Sequence, residues 1–148
     1  MTYLLDVNVL VSMTWPNHVH HRSIRRWFER CGRASWATTP VTQCGFVRVS
    51  SNRAAIPDAV TVGEAVTQLA RMCAHPGHVF LPDDVGGVVG TPDFVAVQGL
   101  LSHRLVTDAH LVALARRHGA RLVTLDRGVR SLVPADEDAV VLVSASRT

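Results

Sequence analysis

The chain contains no lysine: all 15 of its basic residues are arginine. That absence excludes a Walker A phosphate loop, which needs a Gly-Lys pair. Cysteine is sparse. Cys31, Cys44 and Cys73 are scattered without metal-ligand spacing. They give neither a disulfide framework nor a thiolate zinc site, and they suit a reducing cytoplasm, where each is expected as a buried small hydrophobe. No apolar run approaches the ~18 residues of a membrane span. The opening apolar stretch has no basic segment before it and carries Asp6, so no signal peptide is expected. Gly86-Gly87-Val88-Val89-Gly90 is glycine-rich but does not fit a dinucleotide fingerprint, and it reads as a loop.

With 148 residues and 47% hydrophobic content, the chain reads as one domain over residues 1–148 with an aliphatic core. The formal net charge is +3 and the pI about 9.2. The plain reading of the all-arginine usage is coding bias towards GC-rich codons. Guanidinium forks nevertheless grip phosphate bidentately, so the surface is compatible with nucleic acid.

Residues 3–6 read as a short buried strand, followed by a short apolar helix that Trp15-Pro16 stops. Residues 18–30 carry Val19, Ile24, Trp27 and Phe28 at mostly helical spacing, with Gly32 as the stop. Arg22, Arg26 and Arg30 stripe one face of that helix, either as a solvated face or as an RNA contact. Residues 35–38 read as the second strand. Thr39-Pro40 then caps and opens a helix carrying Gln43, Phe46 and Val47. Thr61 and Glu64 fit a capping box for a helix through residue 74, with Val62, Ala65, Val66, Leu69, Ala70 and Cys73 facing inward. Residues 78–81 give a third strand. A loop over 82–92 leads to a helix near 94–101, with Asp93 as a charge at its start. Thr107 is expected to cap a helix over 108–118 that Gly119 ends. Residues 121–126 and 140–143 supply two more strands. Alternating strands and helices predict a parallel sheet of four to five strands with helices on both faces.

Three aspartates fall where such a sheet gathers them. Asp6 and Asp126 end strand-like runs, and Asp108 opens a helix. The carboxyl ends of parallel strands share one edge, where ligands bind. Carboxylates crowded on that edge repel one another unless a cation neutralises them, and all-oxygen donors favour Mg²⁺ or Mn²⁺. Each aspartate alone has a structural explanation, Asp108 as a first-turn helix charge and Asp126 as a turn former. The three together point to metal-dependent phosphate chemistry.

Leu4-Leu5-Asp6-Val7-Asn8, Thr107-Asp108-Ala109-His110-Leu111-Val112-Ala113-Leu114-Ala115 and Thr124-Leu125-Asp126-Arg127-Gly128 resemble, in order, the motifs of PIN-domain ribonucleases of the VapC toxin family. The resemblance implies a PIN-like α/β fold and a Mg²⁺- or Mn²⁺-dependent endoribonuclease. It also implies a homodimer neutralised by a small antitoxin protein. Asp6, Asp108 and Asp126 would be the metal ligands, supported by Asn8 and Thr124. Arg104 and Arg127 stand close enough in sequence to bind substrate phosphate. The helices over 18–30 and 61–74 offer a groove for an amphipathic partner peptide.

One position departs from the family. Where it places a glutamate early in the helix after strand two, this chain has Gln43. A glutamine adds no negative charge and cannot act as a base, but its amide oxygen can accept from a metal-bound water. Gln43 therefore leaves open a catalytically impaired PIN-like module that binds RNA or antitoxin. A second rival, a haloacid-dehalogenase-type phosphatase with Asp6 as nucleophile, lacks the usual acid at position 8 and the later lysine.

Overall fold

The central strands are short apolar runs whose alternate residues feed two cores, as a period of two requires. The computed structural model describes residues 1–86 and 102–144. In β1 (Tyr3–Leu5), β2 (Trp36–Thr38) and β4 (Arg121–Thr124), Leu4, Ala37 and Leu122 face one core, and Leu5, Trp36 and Val123 face the other. The first core is closed by α5 (Val106–Arg117) and the four-residue α6 (Arg127–Arg130). The second is closed by α1 (Val7–Thr14), α2 (His21–Trp27), α3 (Pro40–Ser50) and α4 (Val62–Cys73). Leu4, Leu5, Leu122 and Val123 are fully buried. Each such side chain contributes roughly 1.5–3 kcal/mol.

With β3 (His78–Phe80) and β5 (Val140–Leu142), the sheet has five parallel strands in the order β3-β2-β1-β4-β5. The chain winds outward from β1 to β3, then returns to the other side of β1. The order therefore reverses between β1 and β4, and a crevice opens at that switch point beyond their carboxyl ends. Asp6 and Asp126 follow those two strands.

Local signals explain most boundaries. Pro40 opens α3, where the Thr39 backbone N donates to Thr42 Oγ1 at 3.0 Å. Thr61 and Glu64 exchange capping hydrogen bonds of 2.8 and 3.1 Å at the start of α4. After α5, Gly119 adopts φ 61°, and the backbone N–H groups of Ala120 and Gly119 donate to the Ala115 and Arg116 carbonyls. That reverse-nested pair is the left-handed helix stop that glycine favours.

Some expectations are corrected. The helix expected over 18–30 begins at His21 and closes with a π turn, Phe28–Gly32. Gly32 fits there because a Cβ on it would meet the Trp27 ring at 2.8 Å. Thr107 lies inside α5, not at its cap, because a 3₁₀ turn (His103–Leu105) feeds the helix two residues earlier than expected. Strand β4 ends at Thr124, where Asp126 caps α6. Along α4 only Ala65 and Leu69 are buried. The narrow contact with α3 leaves Val62 and Val66 at 60% and 50% exposure. Cys31 and Cys44 are exposed and Cys73 half-buried, because the first two fall on outward positions of their helical turns. The expected glycine-rich loop from residue 87 onward, the helix near 94–101 and Asp93 lie outside the described residues.

Gly77 is fixed by a close approach. A Cβ there would lie 2.2 Å from the Arg33 carbonyl oxygen, a backbone atom that no rotamer change relieves. Its own carbonyl accepts from Trp36 N at the start of β2. Gly77→Ala is expected to cost about 1–3 kcal/mol, the range for overpacking. Urea unfolding checks this, and a midpoint equal to wild type would refute the contact.

Candidate active site

Asp6 sits between β1 and α1. Its Oδ1 accepts from Val7 N at 2.7 Å and its Oδ2 from Thr124 Oγ1 at 2.7 Å. The hydroxyl of Thr124 is the hub of the crevice. It donates to Asp6, and its oxygen accepts from Asp126 N at 3.1 Å and Asn8 Nδ2 at 3.3 Å. Asn8 Oδ1 in turn accepts from Leu125 N at 3.2 Å. The ends of β1 and β4 are thereby sewn together, and the polar expectations for Asn8 and Thr124 meet in one network. Asp126 is exposed, and its Oδ1 accepts from Gly128 N at 2.8 Å. Asp108 stands in the first turn of α5 without a hydrogen-bond partner among the described residues.

The charges feel one another. Burial raises the Asp6 carboxyl above its ordinary range; hydrogen bonds from Thr124 and Val7 oppose that rise, and the charge of Asp126 adds to it. Asp108 is pushed up to about 7, first by burial, then by Asp6 and Asp126. The carboxylates thus act on one another at one edge, and among the described residues no positive side chain offsets Asp6 or Asp108. Among the described residues, no three His, Cys, Asp or Glu side chains are already gathered as a ligand set. The donor chemistry still fits a hard cation: Mg²⁺ is commonly held by one or two carboxylates, with waters and substrate phosphate completing its shell.

The remaining candidates divide. Arg104 and Arg127 are both exposed. Their turns are brought together, since a Cβ on Gly128 would lie 3.5 Å from Leu105 Cδ2. Arg130 is occupied, donating to the carbonyls of Val133, Pro134 and Ala135. Gln43 lies on the first turn of α3, and its Nε2 donates to Thr38 Oγ1 at 2.9 Å. Two histidine–aspartate contacts escaped the sequence. His110, two residues after Asp108, bonds Asp83 at 2.9 Å, and His118 bonds Asp84 at 2.8 Å. They tie the segment after β3 onto α5. Their sequence separations of 27 and 34 residues left no local signal.

The sequence model of the PIN domain matches residues 3–133. The chain belongs to the PIN-domain family. It is similar to ribonuclease VapC39 of Mycobacterium tuberculosis, with 53% identity over 127 residues, covering 85% of this chain and 89% of that protein. Ribonuclease VapC38 of the same organism is 48% identical over 129 residues, covering 87% and 88%. These relatives put the chain in the VapC branch of the PIN-domain family. Among solved structures it resembles VapBC2 from Rickettsia felis bound to a DNA fragment from their promoter. The TM-score is 0.51 at 13% identity, over 96% of this chain and 97% of that one; at that identity the likeness is one of fold. This PIN domain thus carries its coupled aspartates at the switch point of the family's parallel sheet.

Proposed function

We propose that the chain is an endoribonuclease toxin of a type II toxin–antitoxin pair. It cleaves RNA phosphodiester bonds with Mg²⁺ or Mn²⁺ held by Asp6, Asp108 and Asp126. One observation carries the reading: Asp6 and Asp126 leave adjacent strands at the switch point and are joined through Thr124, and burial, then the charges of these two, pushes Asp108 up to about 7. A divalent ion bound there supplies charge that orients the scissile phosphate and lowers the pKa of an attacking water. The chain's own residues hold the geometry. Val7 N and Thr124 fix the rotamer of Asp6, and Asn8 fixes Thr124. The products expected are 5′-phosphate and 3′-hydroxyl ends.

The test is total RNA incubated with purified protein in Mg²⁺, Mn²⁺ or EDTA, with ends mapped by sequencing. Discrete cuts that EDTA abolishes support the enzyme. If neither metal gives cuts while Gln43→Glu does, the impaired binding module takes its place.

Arg104 and Arg127 are assigned to phosphates flanking the scissile bond. Alanine at either is expected to weaken RNA binding across sequences. Each should reduce the salt slope by about 0.7, the loss of one contact to unpaired RNA. Fluorescence anisotropy across a salt series reads this, and an unchanged slope would assign both to ordinary surface charge.

The partner proposed is a small cognate antitoxin. A cleft of about 360 Å³ between α1, α2 and α4, lined by Met13, Phe28, Trp36 and Met72 among others, suits the apolar face of a peptide helix. The exposed Val62 and Val66 lie on α4 itself and suit the proposed homodimer. Among the described residues no helix is long and apolar enough to cross a membrane, and a cytoplasmic location accords with the RNA substrate.

A further inference from the structure

A polar chain not used above runs beside the carboxylate edge. Thr38 ends β2, next to the strand that delivers Asp6. Its Oγ1 lies 2.8 Å from His78 Nε2 and accepts from Gln43 Nε2 at 2.9 Å. The Cys73 backbone carbonyl is a further hydrogen-bond partner of the His78 ring, and burial holds that ring below its ordinary pKa, hence neutral. The Trp36 ring lies against it with centroids 4.8 Å apart. The Cys73 thiol also stands near Thr38 and Gln43, but sulfur is a weak acceptor.

Proton counting gives this chain a direction. A neutral imidazole has one N–H and one acceptor nitrogen. If the N–H faces the Cys73 carbonyl from Nδ1, Nε2 must accept, and the single Thr38 hydroxyl proton goes to it. Thr38 then has only lone pairs left for Gln43, so the amide must offer its NH₂. Its oxygen has no hydrogen-bond partner among the described residues. Thr38 lies one position past the Leu4–Ala37 pair, so this amide is held at the same end of the sheet from which Asp6 leaves β1.

We infer that Thr38 and His78 are positioning residues that hold the Gln43 amide with its oxygen, not its NH₂, toward the metal edge. Gln43 thereby serves as an oriented neutral acceptor for the water shell of a cation. The inference rests on the metal-site reading above and explains how glutamine serves where a carboxylate, whose two oxygens are equivalent, would need no orientation.

The test couples two sites. His78→Phe keeps a ring against Trp36 but removes the acceptor, freeing the Thr38 proton to bond the amide oxygen and turn the NH₂ outward. Mn²⁺ affinity, measured by calorimetry on the full chain, is expected to fall about tenfold, as for other outer-shell partners. In the Gln43→Glu background the carboxylate takes the Thr38 proton with or without His78 and has no wrong end, so the same substitution should change the affinity by less than about twofold. An equal loss in both backgrounds, or no loss in either, overturns the inference. Long-range ¹H–¹⁵N spectra of wild type give a second readout free of any variant. A proton on His78 Nδ1 is expected, and one on Nε2 overturns the inference. If RNA is not cut but the coupling and tautomer hold, the nuclease reading fails alone. If RNA is cut without coupling, this inference fails alone.

Discussion

Asp6→Asn is expected to abolish RNA turnover while leaving RNA binding nearly intact. Asp6 is the best-fixed of the three carboxylates, bonded on both oxygens and only 6% exposed. Burial and then Asp126 disfavour its charge, and the hydrogen bonds from Thr124 and Val7 work against both. Metal ions contribute several kcal/mol of transition-state stabilisation, so losing a charged ligand should cost on the order of a hundredfold or more in rate. The fold itself should survive. A neutral amide is easier to bury than a carboxylate, and Oδ1 can still accept from Val7 N. One conflict remains: the new NH₂ would point at Thr124 Oγ1, which already accepts from Asn8 and Asp126. Asp126→Asn is therefore the cleaner companion, being exposed and keeping its oxygen for Gly128 N. Single-turnover cleavage and anisotropy on the same RNA separate the two effects. A variant that cuts at the wild-type rate would remove Asp6 from the chemistry.

Both aspartates were legible because each follows an apolar run, and the runs themselves announce adjacent strands. The capping pairs Thr39-Pro40 and Thr61/Glu64 were legible for the same reason: their partners lie within three residues. What the sequence hid depends on pairing across distance. The contact between Thr38 and His78 spans 40 residues and exists only because β2 and β3 align Trp36 with His78. The His110–Asp83 pair needs the chain after β3 to lie on α5. The exposed Val62 and Val66 show a different limit. A helical apolar stripe marks a face that avoids water in some assembly, and here α3 covers only the Ala65–Leu69 part of it. The π turn at Phe28–Gly32 depends on the shape of Trp27, which periodicity does not encode.

Asp108→Asn is expected to stabilise the metal-free protein, increasingly so as pH rises. The Asp108 carboxyl moves from 3.8 to about 7, chiefly through burial and then through Asp6 and Asp126. The folded state therefore holds a proton that the unfolded chain has released, and linkage makes this group's contribution fall as pH rises from about 4 to about 7. Other groups run the opposite way. His18 and His78, both held low chiefly by burial, favour the fold as pH rises towards 6.5, so the wild-type curve alone is ambiguous. The difference between wild type and Asp108→Asn isolates the carboxylate. In EDTA the Tm advantage of the variant should be small near pH 4.5, grow through pH 6 and level off above pH 7.5. Saturating Mg²⁺ should raise the wild-type Tm at pH 7.5 by binding the native state, and raise the variant much less, closing the gap. Calorimetric scans across that range, with and without Mg²⁺, make the comparison. A variant whose advantage is the same at every pH would show that Asp108 carries no shifted charge. Equal Mg²⁺ gains in both proteins would place the cation elsewhere.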